Sequence, residues 1–465
     1  MKRTKIVATI SDKRCDIGFL KELYEAGVNV VRLNTAHQTL DEAMKVVNNV
    51  RAVSEKIALL IDTKGPEVRT VGIEVPLRVE KGEEVYMSGD SNVSGEKVIH
   101  VSYDCFVQDV QVGAKVLVDD GDVEFIVKDK TEESLVLVAS NPGEIKNKKS
   151  VNVPGACMHL ESLSDKDRTF IEFAIKNELD FIAHSFVRNK EDVLQIQQIL
   201  DEHKSKIKII AKIENQEGVD HIDEILDHVY GVMVARGDLA IEIDAEKIPR
   251  IQRMIVNKCI ESKKPVIIAT QMLHTMIDHP RPTRAEVSDI ANAVFSGTDA
   301  IMLSGETAYG DYPLEAVKVM ARVAEANELT APPDSNRNLV RINNEITAAL
   351  ARVAVRMTTM LPVKAIVVDT MSGRTARYLS AFRGGQTVYA RCYDKRVMRE
   401  LSLSYGVESY FSVKPSSRDE FMRDIPQVLL GEGHEPEDQI LVIGGSFGHV
   451  RGASFLEVCK INDIQ

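Results

Sequence analysis

Residues 208–243, KIIAKIENQEGVDHIDEILDHVYGVMVARGDLAIEI, constrain the chain most. Two short runs, 209–213 and 231–235, are apolar without alternation. That is the mark of strands buried on both faces, as in a parallel sheet. Between them residues 218–227 read as a helix, with Ile222, Ile225 and Leu226 on one face. The first strand ends in Lys212 and Glu214, the second in Arg236 and Asp238. In parallel α/β folds ligands bind at the carboxyl ends of strands. Two carboxylates and a lysine there suit a hard cation beside a group that handles phosphate.

The same rhythm runs through the chain. Residues 5–10, 29–34 and 57–62 read as strands, with helices at 17–26, closed by Gly27, and 41–53. The order βαβαβ predicts a parallel sheet with right-handed crossovers. From 67 to 153 the helical period disappears. Alternating runs at 116–118 and 123–127 flank Asp-Asp-Gly, a strong hairpin signal. An all-β domain is therefore inserted at the carboxyl end of the third strand, where it can act as a lid. After Pro154 a helix at 165–177 precedes strands at 181–186, 209–213, 231–235, 265–270 and 300–304. Eight parallel strands over roughly 240 residues predict a TIM (β/α)8 barrel. An open doubly wound sheet is the alternative, and the first strand lacks its Gly-rich dinucleotide fingerprint. The segment TAPPDSNRN, 330–338, reads as a linker. Beyond it a helix at 344–357 and strands at 365–369, 387–391, 408–412 and 440–443 form a second α/β unit. The expected domains are a barrel at 1–66 and 154–338, a β lid at 67–153, and a C-terminal α/β domain at 339–465, which the family resemblance given below makes regulatory.

Composition narrows the partners. A net charge of -12 disfavours nucleic acid and anionic membranes, while leaving room for a local basic pocket that takes small anions. Six cysteines are scattered with no C-x-x-C, which points to a reduced cytoplasm. Neither a signal peptide nor a membrane-spanning stretch is legible.

Polar residues gather where the barrel strands end: Arg32 and Asn34; Asp62, Thr63 and Lys64; Ser185 and Arg188; Lys212 and Glu214; Arg236 and Asp238; Thr270 and Gln271; Ser304 and Glu306. One such residue is ordinarily solvated or salt-bridged. Seven strand ends at one barrel mouth are the pattern of an active site. Glu214 and Asp238 suit Mg²⁺, or else form ion pairs with Lys212 or Arg236. Lys212, two residues before Glu214, points to the same face and can stabilise charge on a phosphoryl group or enolate. Arg32 and Arg69 are further phosphate candidates, with a solvated hinge an equal reading for Arg69. Arg236-Gly237-Asp238 reads as a flexible turn whose N–H groups can hold a carboxylate, or as a glycine needed for tight geometry alone. Thr270 can orient a water or proton, or bond backbone. His37, His159 and His184 lack metal-ligand spacing and read as structural or positioning groups. Pro280 to Arg284 (PRPTR) reads as a loop or contact surface. Thr370, Ser372, Gly373, Arg374 and Thr375 precede a helix and read equally as an anion site or a plain N-cap.

Taken as strings, TKIVATI, VVRLN, DTKGPEVRT, VDDG, VNVPG, SFVR, KIENQEG, MVARGDLAIE, KPVIIATQML, SGETA and SGRTA resemble the pyruvate kinase family, in the family's order and over the whole chain. The resemblance implies transfer of the phosphoryl group of phosphoenolpyruvate to ADP, giving pyruvate and ATP. It implies Mg²⁺ (or Mn²⁺) on Glu214 and Asp238, and K⁺ on Asn34, Asp62 and Thr63, with Glu67 the residue type of K⁺-dependent members. Lys212 and Arg32 would stabilise the phosphoryl group, Gly237 and Asp238 would hold the substrate carboxylate, and Thr270 would help protonate the enolate. Asn34, His37, Arg69 and Lys149 would meet the nucleotide. The 370–375 loop would take the phosphate of a sugar-phosphate or nucleotide effector, in a cytoplasmic homotetramer.

The sequence departs from the family in four places. Ser11-Asp12-Lys13-Arg14 replaces Gly-Pro-Ala-Ser, which bears on ADP affinity and base preference. Ala36 lacks a hydroxyl ligand for K⁺ and predicts weaker K⁺ affinity. Leu160-Glu161-Ser162 replaces Leu-Pro-Ala near the lid hinge. Residues 444–452 stay Gly-rich without the usual effector-loop pattern. A non-catalytic metabolite sensor and a Mg²⁺-dependent lyase of the phosphoenolpyruvate/pyruvate type are the alternative functions.

Overall fold

The computed structural model describes residues 2–156, 158–328, 334, 336–445 and 452–464. Eight parallel strands close into a barrel: β1 (Lys5–Thr9), β2 (Val30–Asn34), β3 (Ala58–Asp62), β4 (Phe181–His184), β5 (Lys208–Ile213), β6 (Gly231–Ala235), β7 (Val266–Ala269) and β8 (Ala300–Leu303). Each pairs with its neighbours in sequence order, and β8 returns to β1. Their side chains are buried almost without exception, which is why the runs lack alternation.

Four expected barrel strands end early. The readings to 10, 186, 270 and 304 stop at Thr9, His184, Ala269 and Leu303. The backbone turns left-handed at Phe186 (φ 55) and Thr270 (φ 69), and no β ladder continues through such residues. The helix expected at 218–227 is two helices, Gln216–Asp220 and Ile222–His228, which meet at His221. A Cβ on Gly218 would stand 2.4 Å from the Val187 carbonyl, so only glycine admits this close approach. Arg236-Gly237-Asp238 is not a flexible turn: it is the first turn of helix Arg236–Glu242.

The lid carries its own core, separate from that of the barrel. Strands Lys115–Val118 and Val123–Lys130 pair with Val118 opposite Val123, and Asp119, Asp120 and Gly121 between them are left-handed, as a tight Asp-Gly hairpin requires. Within the stretch read as free of helix lies one helical turn, Phe106–Asp109, too short to show a period.

The C-terminal unit has strands β9 (Val363–Thr370), β10 (Thr387–Cys392), β11 (Val407–Phe411), β12 (Gln439–Gly444) and β13 (Phe455–Lys460), in the order β11-β10-β9-β12-β13. The last is antiparallel and was not legible, since all six of its residues are only half-buried. Of the 330–338 linker, only 334 and 336–338 lie within the described residues, and the 444–452 loop is largely outside them.

This unit forms the barrel's floor. Leu403 is fully buried in the cluster that fills the barrel interior. Asp299 accepts from Arg383 at 2.8 Å, from the Tyr405 N–H at 3.0 Å and from the Val266 N–H at 3.1 Å. No helix among the described residues is long and apolar enough to cross a membrane.

Candidate active site

The opposite end of the barrel, where the strands' carboxyl ends converge, holds a chain of charges. Lys212 on β5 has its Nζ 3.0 Å from Asp62 Oδ1 and 3.0 Å from Glu214 Oε1, and donates to Ser185 Oγ at 2.7 Å. Arg32 on β2 donates from Nε to Asp62 Oδ2 at 2.6 Å and from Nη1 to Thr9 Oγ1 at 2.9 Å. The strand period of two puts Lys212 and Glu214 side by side, and the barrel closes the other strands around them. All of these side chains are buried.

Burial opposes each charge, and the charges answer one another. Although burial works against it, Asp62 is held below the usual carboxylate range by Arg32 and Lys212. Lys212, likewise buried, is held above the usual lysine range by Asp62 and Glu214. Glu214 is different. Burial pushes its carboxyl up; Lys212 opposes that shift and Asp238 adds to it. Asp238 is also pushed up by burial, and its carboxyl is within hydrogen-bonding reach of Glu214. Two buried carboxyl groups this close hold a proton between them or a cation in its place.

The pair fits a divalent cation. Among the described residues no cluster of three His, Cys, Asp or Glu side chains is arranged as a metal cage. A two-carboxylate site leaves the other positions to water and substrate oxygens, as Mg²⁺ prefers. Arg236 is not the partner of Asp238. It bonds Asp289 at 2.7 Å and the Thr270 carbonyl at 2.7 Å.

Thr270 follows β7, and its Oγ accepts from the Gly237 N–H at 2.8 Å. The N–H expected to hold a carboxylate therefore has the Thr270 hydroxyl as its partner here. A Cβ on Gly237 would make only ordinary van der Waals contact, nearest to Thr270 Oγ1 at 3.5 Å, and its φ is not left-handed, so the protein itself does not require glycine here.

The residues the resemblance gave to K⁺ come together only in part. Asn34 and Asp62 are register partners, and the Asn34 carboxamide accepts from the Ala36 N–H at 3.2 Å. The Thr63 hydroxyl accepts from the Ser185 N–H at 3.0 Å. Glu67 instead pairs with Arg69 at 2.7 Å, at the root of the lid. Arg69 and Lys149 lie together there, Lys149 pairing with Asp119 at 2.8 Å. His37 is exposed beside Asn34, to whose carbonyl its N–H donates at 3.3 Å. A cleft of about 380 Å³ separates lid and barrel, with Glu67 and Ser150 on one wall and Phe186, Arg188 and Asp238 on the other.

Three contributors had no assigned role in the sequence. The Phe186 N–H donates to Glu214 Oε2 at 2.6 Å, and Thr9 orients Arg32. Arg188 donates to the Met158 and Leu160 carbonyls at 3.0 and 2.9 Å, tying the segment that follows the lid to the barrel. A backbone donor leaves no trace in residue type, and the pattern T-K-I-V-A-T gives Thr9 no distinction from a strand threonine. In the C-terminal unit the N-cap of helix Arg374–Ala381 is Gly373 (φ 72), with no side-chain cap, so neither Ser372 nor Thr375 serves as a plain N-cap.

Known proteins share this arrangement. Residues 1–317 match the family described as pyruvate kinase, barrel domain, and residues 348–459 the pyruvate kinase alpha/beta domain. A pyruvate kinase of Borreliella burgdorferi is 47% identical over 99% of this chain and 98% of its own length. One of Bacillus licheniformis is 42% identical over 100% of this chain and 81% of its own. The crystal structure of a pyruvate kinase from Cryptosporidium parvum superposes with a TM-score of 0.93 at 34% identity, over 99% of this chain and 96% of that one. With near-complete matches to both domains and to full-length relatives, the chain belongs to the pyruvate kinase family of phosphotransferases.

Proposed function

We propose that this pyruvate kinase moves the phosphoryl group of phosphoenolpyruvate to ADP at the Lys212 cluster. The observation that carries this is the Lys212 ammonium, bracketed by Asp62 and Glu214 at 3.0 Å each and aimed into the barrel mouth. Lys212 and Arg32 supply fixed positive charge to the oxygens of the group in transfer, where buried cations act more strongly than in water. Their carboxylate partners hold them charged and in place. The first-turn N–H groups at Gly237 and Asp238 receive the substrate carboxylate, in exchange for the Thr270 contact. Thr270, released from Gly237, orients the proton delivered to the enolate carbon. Glu214 and Asp238 hold Mg²⁺ or Mn²⁺, which when bound neutralises phosphate charge.

Asn34, Asp62 and Thr63 serve K⁺, weakly for want of a hydroxyl at Ala36. Asn34, His37, Arg69 and Lys149 meet the nucleotide, with Arg69 and Lys149 brought by the lid. In this reading 1–66 and 154–338 form the catalytic barrel, 67–153 the lid, and 339–465 a regulatory unit whose loop, Thr370 to Thr375, takes an effector phosphate. The protein works as a cytoplasmic homotetramer.

The test is pyruvate formation from phosphoenolpyruvate, ADP and Mg²⁺, with and without K⁺. Turnover raised by K⁺ is expected. Turnover indifferent to K⁺ would remove the role given to Asn34, Asp62 and Thr63. Absence of turnover by folded protein would overturn the assignment of Lys212.

A further inference from the structure

The lid has a core of its own, so its place over the barrel is set by its two connections. The outgoing one is residues 63–66. Gly65 is left-handed there (φ 69), and a Cβ on it would stand 2.8 Å from Ser185 Cβ and 2.9 Å from the Phe186 ring. The backbone therefore lies flat on the loop that follows β4. The return connection, residues 153–162, reaches the same loop. Arg188 donates from Nη1 to the Met158 carbonyl at 3.0 Å and from Nη2 to the Leu160 carbonyl at 2.9 Å.

Residues 158–160 belong to both bodies. The Met158 and Leu160 side chains pack against the lid's core. The residue between them turns the other way. The His159 N–H donates to Asp109 Oδ2 at 3.0 Å, and Asp109 ends the lid's helical turn Phe106–Asp109. Extended backbone alternates in this manner, so one edge of the segment is held by the barrel and the other by the lid. The barrel's hold is rigid. Asp192 accepts from the Arg188 backbone N–H at 3.0 Å, from its Nε at 3.0 Å and from its Nη2 at 2.9 Å. Asp192 is itself buried, in the first turn of helix Lys190–Glu202. A fork of guanidinium N–H groups fixes direction as well as distance. A further tie is the Ser162 hydroxyl, which donates to Gln195 on that helix at 2.8 Å.

We infer that Arg188 is a positioning residue for phosphoryl transfer: by fixing residues 158–160 between barrel and lid, it sets where the lid's Arg69 and Lys149 stand over the Lys212 cluster. This role rests on the reading above that those two lid cations meet the nucleotide, and goes beyond it in naming the side chain that aims them.

The same loop seats the catalytic charges. Ser185 Oγ accepts from Lys212 at 2.7 Å and donates to the Thr63 carbonyl at 2.6 Å. The Phe186 N–H donates to Glu214 Oε2 at 2.6 Å, from a left-handed backbone (φ 55) that its surroundings must hold in place. Residues 185–188 therefore carry the lid on one side and the lysine and metal carboxylate on the other. Lid cations and barrel cations are held in one frame, and a misplacement of about 1 Å between reacting groups costs about a hundredfold in rate.

The test uses two variants of the whole enzyme. Arg188→Lys keeps a cation for Asp192 and loses the fork. Asp109→Ala leaves Arg188 in place and releases the lid's edge of the same segment, so it carries the test even where the lysine variant fails to fold. Turnover is measured against ADP and against phosphoenolpyruvate, and phosphoenolpyruvate with Mg²⁺ is titrated calorimetrically in the absence of nucleotide. Both variants are expected to raise the KM for ADP and lower kcat, together about a hundredfold in kcat/KM for ADP, while phosphoenolpyruvate binding without nucleotide stays within about threefold of wild type. Equal losses toward both substrates would make Arg188 a prop of the fold alone and overturn the role. So would an unchanged ADP dependence in either variant. Hydrogen exchange is read on the same proteins without ligand. Faster exchange of the His159 N–H is expected in Arg188→Lys whether or not the wild type turns over. Inactive wild-type protein would therefore count against the kinase reading, and unchanged exchange at His159 against the joint.

Discussion

Lys212→Met isolates the charge on which the mechanism rests. Methionine fills the volume of the lysine stem, so little cavity is created. What disappears is one cation between Asp62 and Glu214, each 3.0 Å away. Breaking a buried pair costs about 3–5 kcal/mol when the remaining partner stays charged. Asp62 keeps Arg32 at 2.6 Å. Glu214, already pushed up by burial, takes a proton instead. The stability loss therefore lies at the low end, about 3 kcal/mol, or roughly 6–12 °C in Tm for a domain of this size. The effect on chemistry is larger. A cation placed on a phosphoryl group in transfer is worth about 10³–10⁵ in kcat, or roughly 4–7 kcal/mol of barrier. Because the contact strengthens in the transition state, kcat falls far more than phosphoenolpyruvate affinity. A coupled assay of pyruvate formation reads kcat and KM. Circular dichroism follows unfolding, since the chain has no tryptophan. A variant within tenfold of the wild-type kcat would refute the role of Lys212, whatever its stability.

Thr270→Ala removes the hydroxyl that accepts from Gly237 at 2.8 Å and should lower kcat by about 10²–10⁴ with a smaller change in KM. Thr270→Ser should restore most of it, and an alanine variant as fast as the serine one would sink the proton-handling role. Asp299→Asn weakens the joint of Arg383, Tyr405 and Val266 and should cost about 3–5 kcal/mol in urea unfolding, with Mg²⁺ affinity at the far end of the barrel retained. His184 is buried and its ring nitrogens make no well-formed hydrogen bond; burial, only partly offset by Asp192 and Asp167, pushes its pKa from 6.5 down to about 4. The unfolded state then binds the extra proton first. The contribution is complete above the unfolded value and is lost as pH falls toward 4, by about 2 kcal/mol between pH 7 and 5. His184→Gln should flatten that slope in urea titrations, and an unchanged slope would place the acid sensitivity elsewhere.

The barrel was legible because burial on both faces writes itself as unbroken apolar runs, and β5 and β6 show this most plainly. Its strand ends were not, because Phe186, Thr270 and Gln271 adopt left-handed backbone without glycine to announce it. Lys212 and Glu214 were legible as neighbours through the strand period alone. That Asp62 joins Arg32 to Lys212 was not, since three strands meet there only after the barrel closes. Arg188 was visible as one more charge at a strand end. Its hold on the Met158 and Leu160 carbonyls, across the lid's return, has no period to reveal it. The loop before Arg374 left two readings open, and Gly373 at its cap removes the simpler one.

The floor of the barrel explains why a second α/β unit belongs to this catalyst at all. Asp180, at the amino end of β4, is bonded by Arg51 at 3.0 Å, by the Leu59 N–H at 2.8 Å and by Arg399 of the C-terminal unit at 2.6 Å. Lys5 at the start of β1 reaches Glu408 at 2.6 Å. Leu403 packs among residues that fill the barrel, beneath Phe181 and Tyr230, whose rings are 5.8 Å apart. Charge pairs with at least one buried partner are thus combined with buried apolar packing, so the two units cannot slide without breaking several contacts at once. Dense interiors pass displacement on rather than absorb it. A shift of the C-terminal unit is therefore felt first along β1 and β4, the strands that Lys5 and Asp180 anchor to it.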